Sequence, residues 1–238
     1  MNKIRIVIIS DTHGKEFDLK LPQGDILIHA GDMTNNGTIE DVVYFANWLQ
    51  RQSFKHKIVI AGNHDWCFET IPEKAAKWLK ATAPENYNLP IVNNTDNIHY
   101  LQDNGIQLTL NNVLLKIWGS PWSRKWGRWA FQYKYANDVI QKWSQIPDNT
   151  DILITHGPAY GILDMITHNQ NVGCPNLKVQ LELIKPKLHI SGHIHEAYGE
   201  TVKNGVQHIN ASIRSGTYGP NNNPVVIDYY ENGDIIFI

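Results

Sequence analysis

The chain has 238 residues, 42% of them apolar, enough to bury a full core as one domain spanning 1-238. A net charge of −2 supplies no general field for recruiting DNA, RNA or an anionic membrane, and no stretch reaches the roughly 18 apolar residues of a membrane span. The two cysteines, Cys67 and Cys174, fit a reducing compartment, and Met1 to Ser10 lacks a signal peptide's long apolar region, so the chain reads as soluble and cytoplasmic.

Ile4 to Ile9 (IRIVII) is rich in β-branched residues, too short for a buried helix, and suits a strand covered on both faces. It ends in a turn, Ser10-Asp11-Thr12-His13-Gly14. Asp25 to Ala30 (DILIHA) repeats the pattern and ends at Gly31-Asp32. Between Asn36 and Gln50 the apolar residues Ile39, Val42, Val43, Ala46 and Leu49 recur at helical spacing, with Thr38 as N-cap. Lys57 to Ala61 is a third strand, delivering Gly62-Asn63-His64-Asp65. Strand, loop, helix and strand in this order are α/β grammar, which gathers the polar tips at the carboxyl ends of neighbouring strands.

Pro72 to Ala81 predicts a short helix with proline in its first turn, followed by an Asn- and Pro-rich loop over 82–97. Ile98 to Leu101, Ile106 to Leu110 and Val113 to Trp118 read as an antiparallel meander, with Asp103-Asn104-Gly105 and Asn111-Asn112 as its hairpin turns. Trp118, Trp122, Trp126 and Trp129 are spaced four, four and three apart. That spacing makes either a helical stripe packed in the core or, with Arg124, Lys125 and Arg128, a base-stacking wall. Trp122 and Arg124 follow a Ser-Pro turn and are the pair expected to face substrate. Ala136 to Trp143 predicts a helix. Asp151 to Thr155 is a strand ending at His156-Gly157-Pro158, and Leu177 to Lys185 a helix stopped by Pro186. Lys187 to Ser191 delivers Gly192-His193-Ile194-His195. Val202 to Ile209 and Val225 to Ile238 complete the strands, the latter turning at Glu231-Asn232-Gly233-Asp234.

The strand tips supply two carboxylates (Asp11, Asp32), one amide (Asn63) and four imidazoles (His13, His156, His193, His195), with His64 held back as a fifth. These oxygen and nitrogen donors suit Mn, Fe, Zn or Ni better than thiolate-loving metals. A bridged pair of divalent ions acidifies a shared water and clamps phosphoryl oxygens, and one carboxylate must touch both ions. A shell of mostly neutral ligands keeps its grip on an anionic substrate. Asp65 reads as orienting a neighbour, and Cys174 as packed rather than nucleophilic. His29, His56, His99, His189 and His208 read as structural or solvated. So does His168, unless Leu163 to Cys174 lies over the site as a lid.

Taken in order, D-x-H, GD, GNHD, HG and GHxH between Asp11 and His195 resemble the calcineurin-like metallophosphoesterase superfamily. Gly31-Asp32-Met33-Thr34, Gly119-Ser120-Pro121-Trp122, Thr155-His156-Gly157-Pro158 and Asn210-Ala211-Ser212 resemble its MPPED branch, grouped with class III cyclic-nucleotide phosphodiesterase-like proteins. The resemblance implies a four-layer αββα sandwich of α/β class with a dinuclear centre at the strand ends. It implies two divalent ions, Mn first, with Fe, Zn, Ni or Mg as alternatives. Asp11, His13 and His195 would ligate the first and Asn63, His156 and His193 the second, with Asp32 as the bridge. His64 would contact a phosphate oxygen and protonate the leaving alkoxide. The implied reaction is hydrolysis of a small or cyclic nucleotide phosphodiester by a metal-bridging hydroxide. A phosphomonoesterase, a nuclease or a weakly active metal-binding scaffold are the alternatives. Protein phosphatases of the superfamily follow the bridging Asp with an Asp-Arg pair, where this chain has Asn35 and Asn36. The Asn35 amide would accept a hydrogen bond from His64 without bringing charge, and phosphate would lose a guanidinium fork. The expected partner is therefore a small phosphodiester or nucleotide, with no membrane and no extended nucleic-acid surface.

Overall fold

The apolar runs become strands buried on both faces in a computed structural model that describes residues 1–80, 97–215 and 222–238. Strands β1 (Lys3–Ile9), β2 (Ile26–Ala30) and β3 (His56–Ile60) are parallel neighbours. Helix α1 (Ile39–Gln50) links β2 to β3 and starts at a reciprocal cap. The Thr38 hydroxyl accepts the Asp41 N–H at 3.1 Å, and the Asp41 carboxylate accepts the Thr38 N–H at 3.3 Å. Helices α2 (Trp66–Thr70) and α3 (Pro72–Lys80) follow, and β4 (Ile98–Tyr100) pairs parallel with β3. The loop expected over 82–97 lies outside the described residues except at Asn97.

The chain then builds β5 (Asn104–Leu110) and β6 (Val113–Ser120), an antiparallel pair joined by Asn111 and Asn112, both with positive φ (50° and 61°). A small parallel ribbon, β7 (Ser123–Arg124) with β8 (Gln132–Tyr133), precedes α4 (Ala136–Trp143) and β9 (Ile152–Thr155). Helix α5 (Pro175–Ile184) is capped by the Cys174 sulfur, which accepts the Leu177 N–H at 3.3 Å; Cys67 is also buried, and both thiols are free. The remaining strands are β10 (Leu188–Ser191), β11 (Gly199–Lys203), β12 (Val206–Asn210), β13 (Val225–Tyr230) and β14 (Ile235–Phe237).

Two six-stranded mixed sheets result, ordered β14-β13-β1-β2-β3-β4 and β11-β12-β10-β9-β6-β5. Strand alternation decides what each face meets. Along β1, Ile4, Ile6 and Ile8 enter the core between the sheets, opposite Leu115, Ile117, Ile154 and Ile190. Val7 and Ile9 point the other way, onto Phe45 and Leu49 of α1 and Phe68 of α2. On the second sheet Leu153 packs under Val139 and Trp143 of α4 and Leu177 and Leu181 of α5. Helix, sheet, sheet and helix make the four-layer α/β sandwich that the resemblance implied. Among the described residues no helix is long and apolar enough to cross a membrane.

Three expectations need correction. Asp103-Asn104-Gly105 is no hairpin turn: β4 and β5 belong to different sheets, so the chain crosses the sandwich there, and Asn104 and Gly105 already pair with Gly119 and Trp118. Val202 to Ile209 is two strands, because Asn204 and Gly205 (φ 53° and 79°) reverse the chain between β11 and β12. The four spaced tryptophans share no helix: Trp118 lies in β6, and the rest fall in and around the β7–β8 ribbon.

Candidate metal centre

Strand β1 releases Asp11 and His13, β2 Asp32, β3 Asn63 and His64, β9 His156, and β10 His193 and His195. Extended backbone would carry these side chains apart. Asp11, His13, Asp32 and His193 instead take left-handed φ values of 56°, 48°, 54° and 67°, a conformation that costs non-glycine residues about 1–2 kcal/mol each. Such strain gathers where function holds it in place. The turns interlock, with Asp11 N–H on the Gly31 carbonyl at 2.9 Å and His13 N–H on the Asp32 carbonyl at 3.1 Å. The loops approach too closely for side chains at Gly62 and Gly192. A Cβ on Gly62 would strike the Asp32 carboxylate, and one on Gly192 the Asp11 carboxylate and Ser10 hydroxyl.

The donors fall into three overlapping groups: Asp11, His13 and His195; His13, Asp32 and His64; Asp32, His156 and His193. Within each, one ligand atom per residue lies within 4.8 Å of the others. Asp32 is central: its Oδ2 is 3.8 Å from His13 Nε2 and 3.4 Å from His156 Nε2. Asp11 Oδ1 is 3.5 Å from His195 Nε2, and Asn63 Oδ1 is 3.0 Å from His156 Nε2. His156 Nδ1 donates to the Ala30 carbonyl at 2.9 Å, which aims Nε2 into the cluster and joins the two sheets. The Asp11 carboxylate accepts the His193 N–H at 3.0 Å, tying the last loop to the first. Asp65 stands behind the cluster, accepting from Gly62 N–H (2.8 Å), Thr34 N–H (2.9 Å) and the Thr34 hydroxyl (2.7 Å).

Electrostatics show what the cluster lacks. Burial drives the imidazoles of His13 and His193 down to about 4, so both are neutral near pH 7, as ligands must be. Burial also opposes charge on His156, but the Asp32 carboxylate outweighs it and holds that ring up at about 9. Asp11 and Asp32 are pushed up by burial and pulled further down by the facing imidazoles, so both stay below the usual carboxylate range. Burial and the repulsion of Asp32 raise Asp65 to about 6. Two buried carboxylates and several converging nitrogen lone pairs, with His13 Nε2 turned on His195 Nε2 at 3.4 Å, call for positive charge at their centre. An all-oxygen-and-nitrogen set fits a pair of borderline-hard divalent ions.

A cavity of about 720 Å³ opens over this cluster. Its lining includes Arg124, Lys125, Trp126 and Trp129 from one segment and Ile166, His168, Gln170 and Val172 from another. Arg124 and His168 both line this cavity. Trp122, expected to face substrate, points elsewhere: its indole N–H donates to Asp103 at 2.9 Å, its ring meets Phe131 edge-on at 5.7 Å, and it packs with the outer cores. The side chain of Asn35 is also displaced from its expected role. It is exposed, and the backbone carbonyl of Asn35 takes the His64 Nδ1 hydrogen bond at 2.8 Å. Trp126 and Trp129 were visible only as members of the tryptophan series. Their turn toward the cavity comes from the ribbon, which helical spacing does not describe.

A family model described as calcineurin-like phosphoesterase matches residues 4–197. The chain is 38% identical over 234 residues to human metallophosphoesterase domain-containing protein 1, covering 94% of this chain and 70% of that one. It is 34% identical over 238 residues to a UPF0046 protein of Caenorhabditis elegans, covering 95% of this chain and 81% of that one. Among solved structures, phosphopantetheinyl hydrolase from Mycobacterium tuberculosis superposes with a TM-score of 0.61 at 12% identity, covering 91% of this chain and 92% of that one. That last likeness is one of fold.

Proposed function

The chain belongs to the calcineurin-like phosphoesterase family, and we propose that it hydrolyses phosphodiesters of small or cyclic nucleotides, working in the cytoplasm with manganese. Membership makes it a phosphoester hydrolase that uses divalent metal ions. The observation that carries the metal-dependent reading is the convergence of seven donors from five loops, with Asp32 among them facing His13 and His156. Asp11, His13 and His195 would hold one ion, Asn63, His156 and His193 the other, and Asp32 both. When bound, such a pair supplies an acidified water and neutralises charge on the phosphoryl oxygens.

The protein's own groups do the rest. His64 keeps Nδ1–H on the Asn35 carbonyl, which leaves Nε2 as the nitrogen to meet a phosphate oxygen and pass a proton to the leaving alkoxide. The backbone N–H of His64 donates to Asp32 Oδ1 at 2.8 Å, which ties the turn of the acid to the turn of the bridging carboxylate. Asn35 and Asn36 are exposed and uncharged beside this turn, and no guanidinium fork follows the bridging Asp. That favours a monoanionic diester over a dianionic monoester or a phosphoprotein. Trp126 offers a flat face for a base, Arg124 and Lys125 offer cations, and the cavity volume suits a small nucleotide. The net charge of −2 argues against a polynucleotide.

The test is the stripped protein reloaded with Mn, Ni, Zn or Mg and assayed on bis-p-nitrophenyl phosphate, p-nitrophenyl phosphate, and 2′,3′- and 3′,5′-cyclic nucleotides. Diester turnover abolished by chelator is expected. A preference for the monoester would make the protein a phosphatase, and no turnover with any metal would make it a binding module.

A further inference from the structure

The indole of Trp129 lies on the imidazole of His64, with ring centroids 4.0 Å apart and planes inclined by 26°. His13 meets the same imidazole edge-on at 4.6 Å and 86°, and the Asn35 carbonyl holds its Nδ1. A hydrogen bond at one nitrogen leaves a ring free to swing about that bond. A flat partner against its face removes the swing.

Trp129 can serve as that partner because its backbone is anchored independently of any substrate. The next two residues, Ala130 and Phe131, are buried. Ala130 N–H donates to the Asn63 carbonyl at 3.0 Å, and Phe131 N–H to the Glu69 carboxylate at 3.1 Å. The β7–β8 ribbon secures the other side, with Ser123 N–H on the Phe131 carbonyl at 2.9 Å and Lys125 N–H on the Tyr133 carbonyl at 3.0 Å. The segment bearing Trp129 is thus fastened to the very turn that carries Asn63 and His64. Yet Trp129 itself remains 38% exposed. Buried neighbours hold the backbone, so the stack on His64 is what the side chain adds.

We propose that Trp129 is a positioning residue that acts through His64, holding the ring so that Nε2 faces the leaving oxygen; this rests on the phosphoesterase reading above. In the step concerned, a hydroxide, from a water that has given one proton to solvent, bonds through its oxygen to phosphorus, and the phosphorus–oxygen bond to the leaving group breaks with its electron pair on the leaving oxygen. The proton on His64 Nε2 moves to that leaving oxygen. The ring ends neutral, with Nδ1–H still on the Asn35 carbonyl. A group that only stacked a substrate base would work at the binding stage, whereas an aligner of the acid works where the leaving group needs its proton.

Manganese-loaded wild type, Trp129→Leu and Trp129→Phe are compared on aryl phosphodiesters whose leaving groups run from p-nitrophenoxide to phenoxide. Trp129→Leu is expected to lower kcat about tenfold on the phenyl ester, less on the p-nitrophenyl ester, with KM little changed. Trp129→Phe should recover most of the loss. In a His64→Ala background, Trp129→Leu should cost nothing more. In the metal-free protein, the His64 ring protons should lose an upfield ring-current shift in Trp129→Leu. A change confined to KM, or the same loss with and without His64, would overturn the proposal and make Trp129 a substrate contact. An unchanged His64 resonance would show that no stack exists. A wild type that hydrolyses neither ester would sink the phosphoesterase reading and this role together, and the resonance alone would then report whether the stack is present.

Discussion

At the scale of single residues, the proposed bridge Asp32 and the proposed acid His64 stand on neighbouring turns, joined by the His64 N–H on Asp32 Oδ1 at 2.8 Å. Asp32 faces imidazoles on both sides at 3.4 and 3.8 Å, so Asp32→Ala is expected to release both ions and abolish most turnover. Two ions per chain retained by that variant, measured by elemental analysis, would contradict the bridge. His64→Ala should keep both ions while turnover falls by about two to four powers of ten; loss of metal there would make His64 a ligand. His156 adds a pH dependence. Its folded value of about 9 is raised above the ordinary 6.5 by Asp32 against the opposing effect of burial. The charge it carries in the metal-free fold therefore stabilises that fold fully below about 6.5, and the contribution is lost as pH rises through about 9. Only the neutral ring can bind an ion, so manganese affinity should climb toward pH 9 and uptake at pH 7.5 should release protons. Calorimetry in buffers of different ionisation enthalpy reads that release, and its absence would show that His156 is already neutral. Five of the other histidines have partners away from the cluster: His29 bonds Thr12 at 3.0 Å, His189 bonds Thr155 at 2.9 Å and His208 at 3.1 Å, and His56 bonds His99 at 3.0 Å.

At the scale of elements, Asp164 closes the loop whose Ile166, His168, Gln170 and Val172 line the cavity. One oxygen accepts both Gly161 N–H (3.0 Å) and Gly173 N–H (2.8 Å). Asp164→Ala removes two charge-assisted bonds. It should lower stability by about 2 kcal/mol and raise KM several-fold while both ions stay bound. An unchanged KM would mean that the loop does not shape the site. The strands that carry the donors were legible because each is a short β-branched run buried on two faces, and α1 because Thr38 and Asp41 cap its apolar stripe. Errors came where one local pattern serves two geometries. Asn204-Gly205 made a hairpin inside a run read as continuous, while Asp103-Asn104-Gly105 carried the same chemistry into a crossing between sheets. The tryptophan spacing matched a helix by coincidence, and Pro121 with the ribbon pairing of β7 to β8 broke it. Motif order indicated which side chains meet; the left-handed turns at Asp11, His13, Asp32 and His193 that make them meet leave no mark in hydrophobic periodicity.

At the scale of the molecule, the centre exists because two sheets present the carboxyl ends of their parallel strands along one rim. The first sheet brings Asp11, His13, Asp32 and Asn63, and the second brings His156, His193 and His195. Neither set alone completes a coordination shell. Bonds across the rim, His156 to the Ala30 carbonyl and His193 N–H to Asp11, make the packing of the sandwich and the geometry of the site a single problem. Any substitution that shifts one sheet on the other should therefore weaken metal binding before it unfolds the chain. The most direct test is an anomalous difference map from crystals soaked in manganese. Two peaks about 3.5–4 Å apart, one on each side of Asp32, are expected. A single peak, or peaks remote from Asp32, would contradict a dinuclear centre.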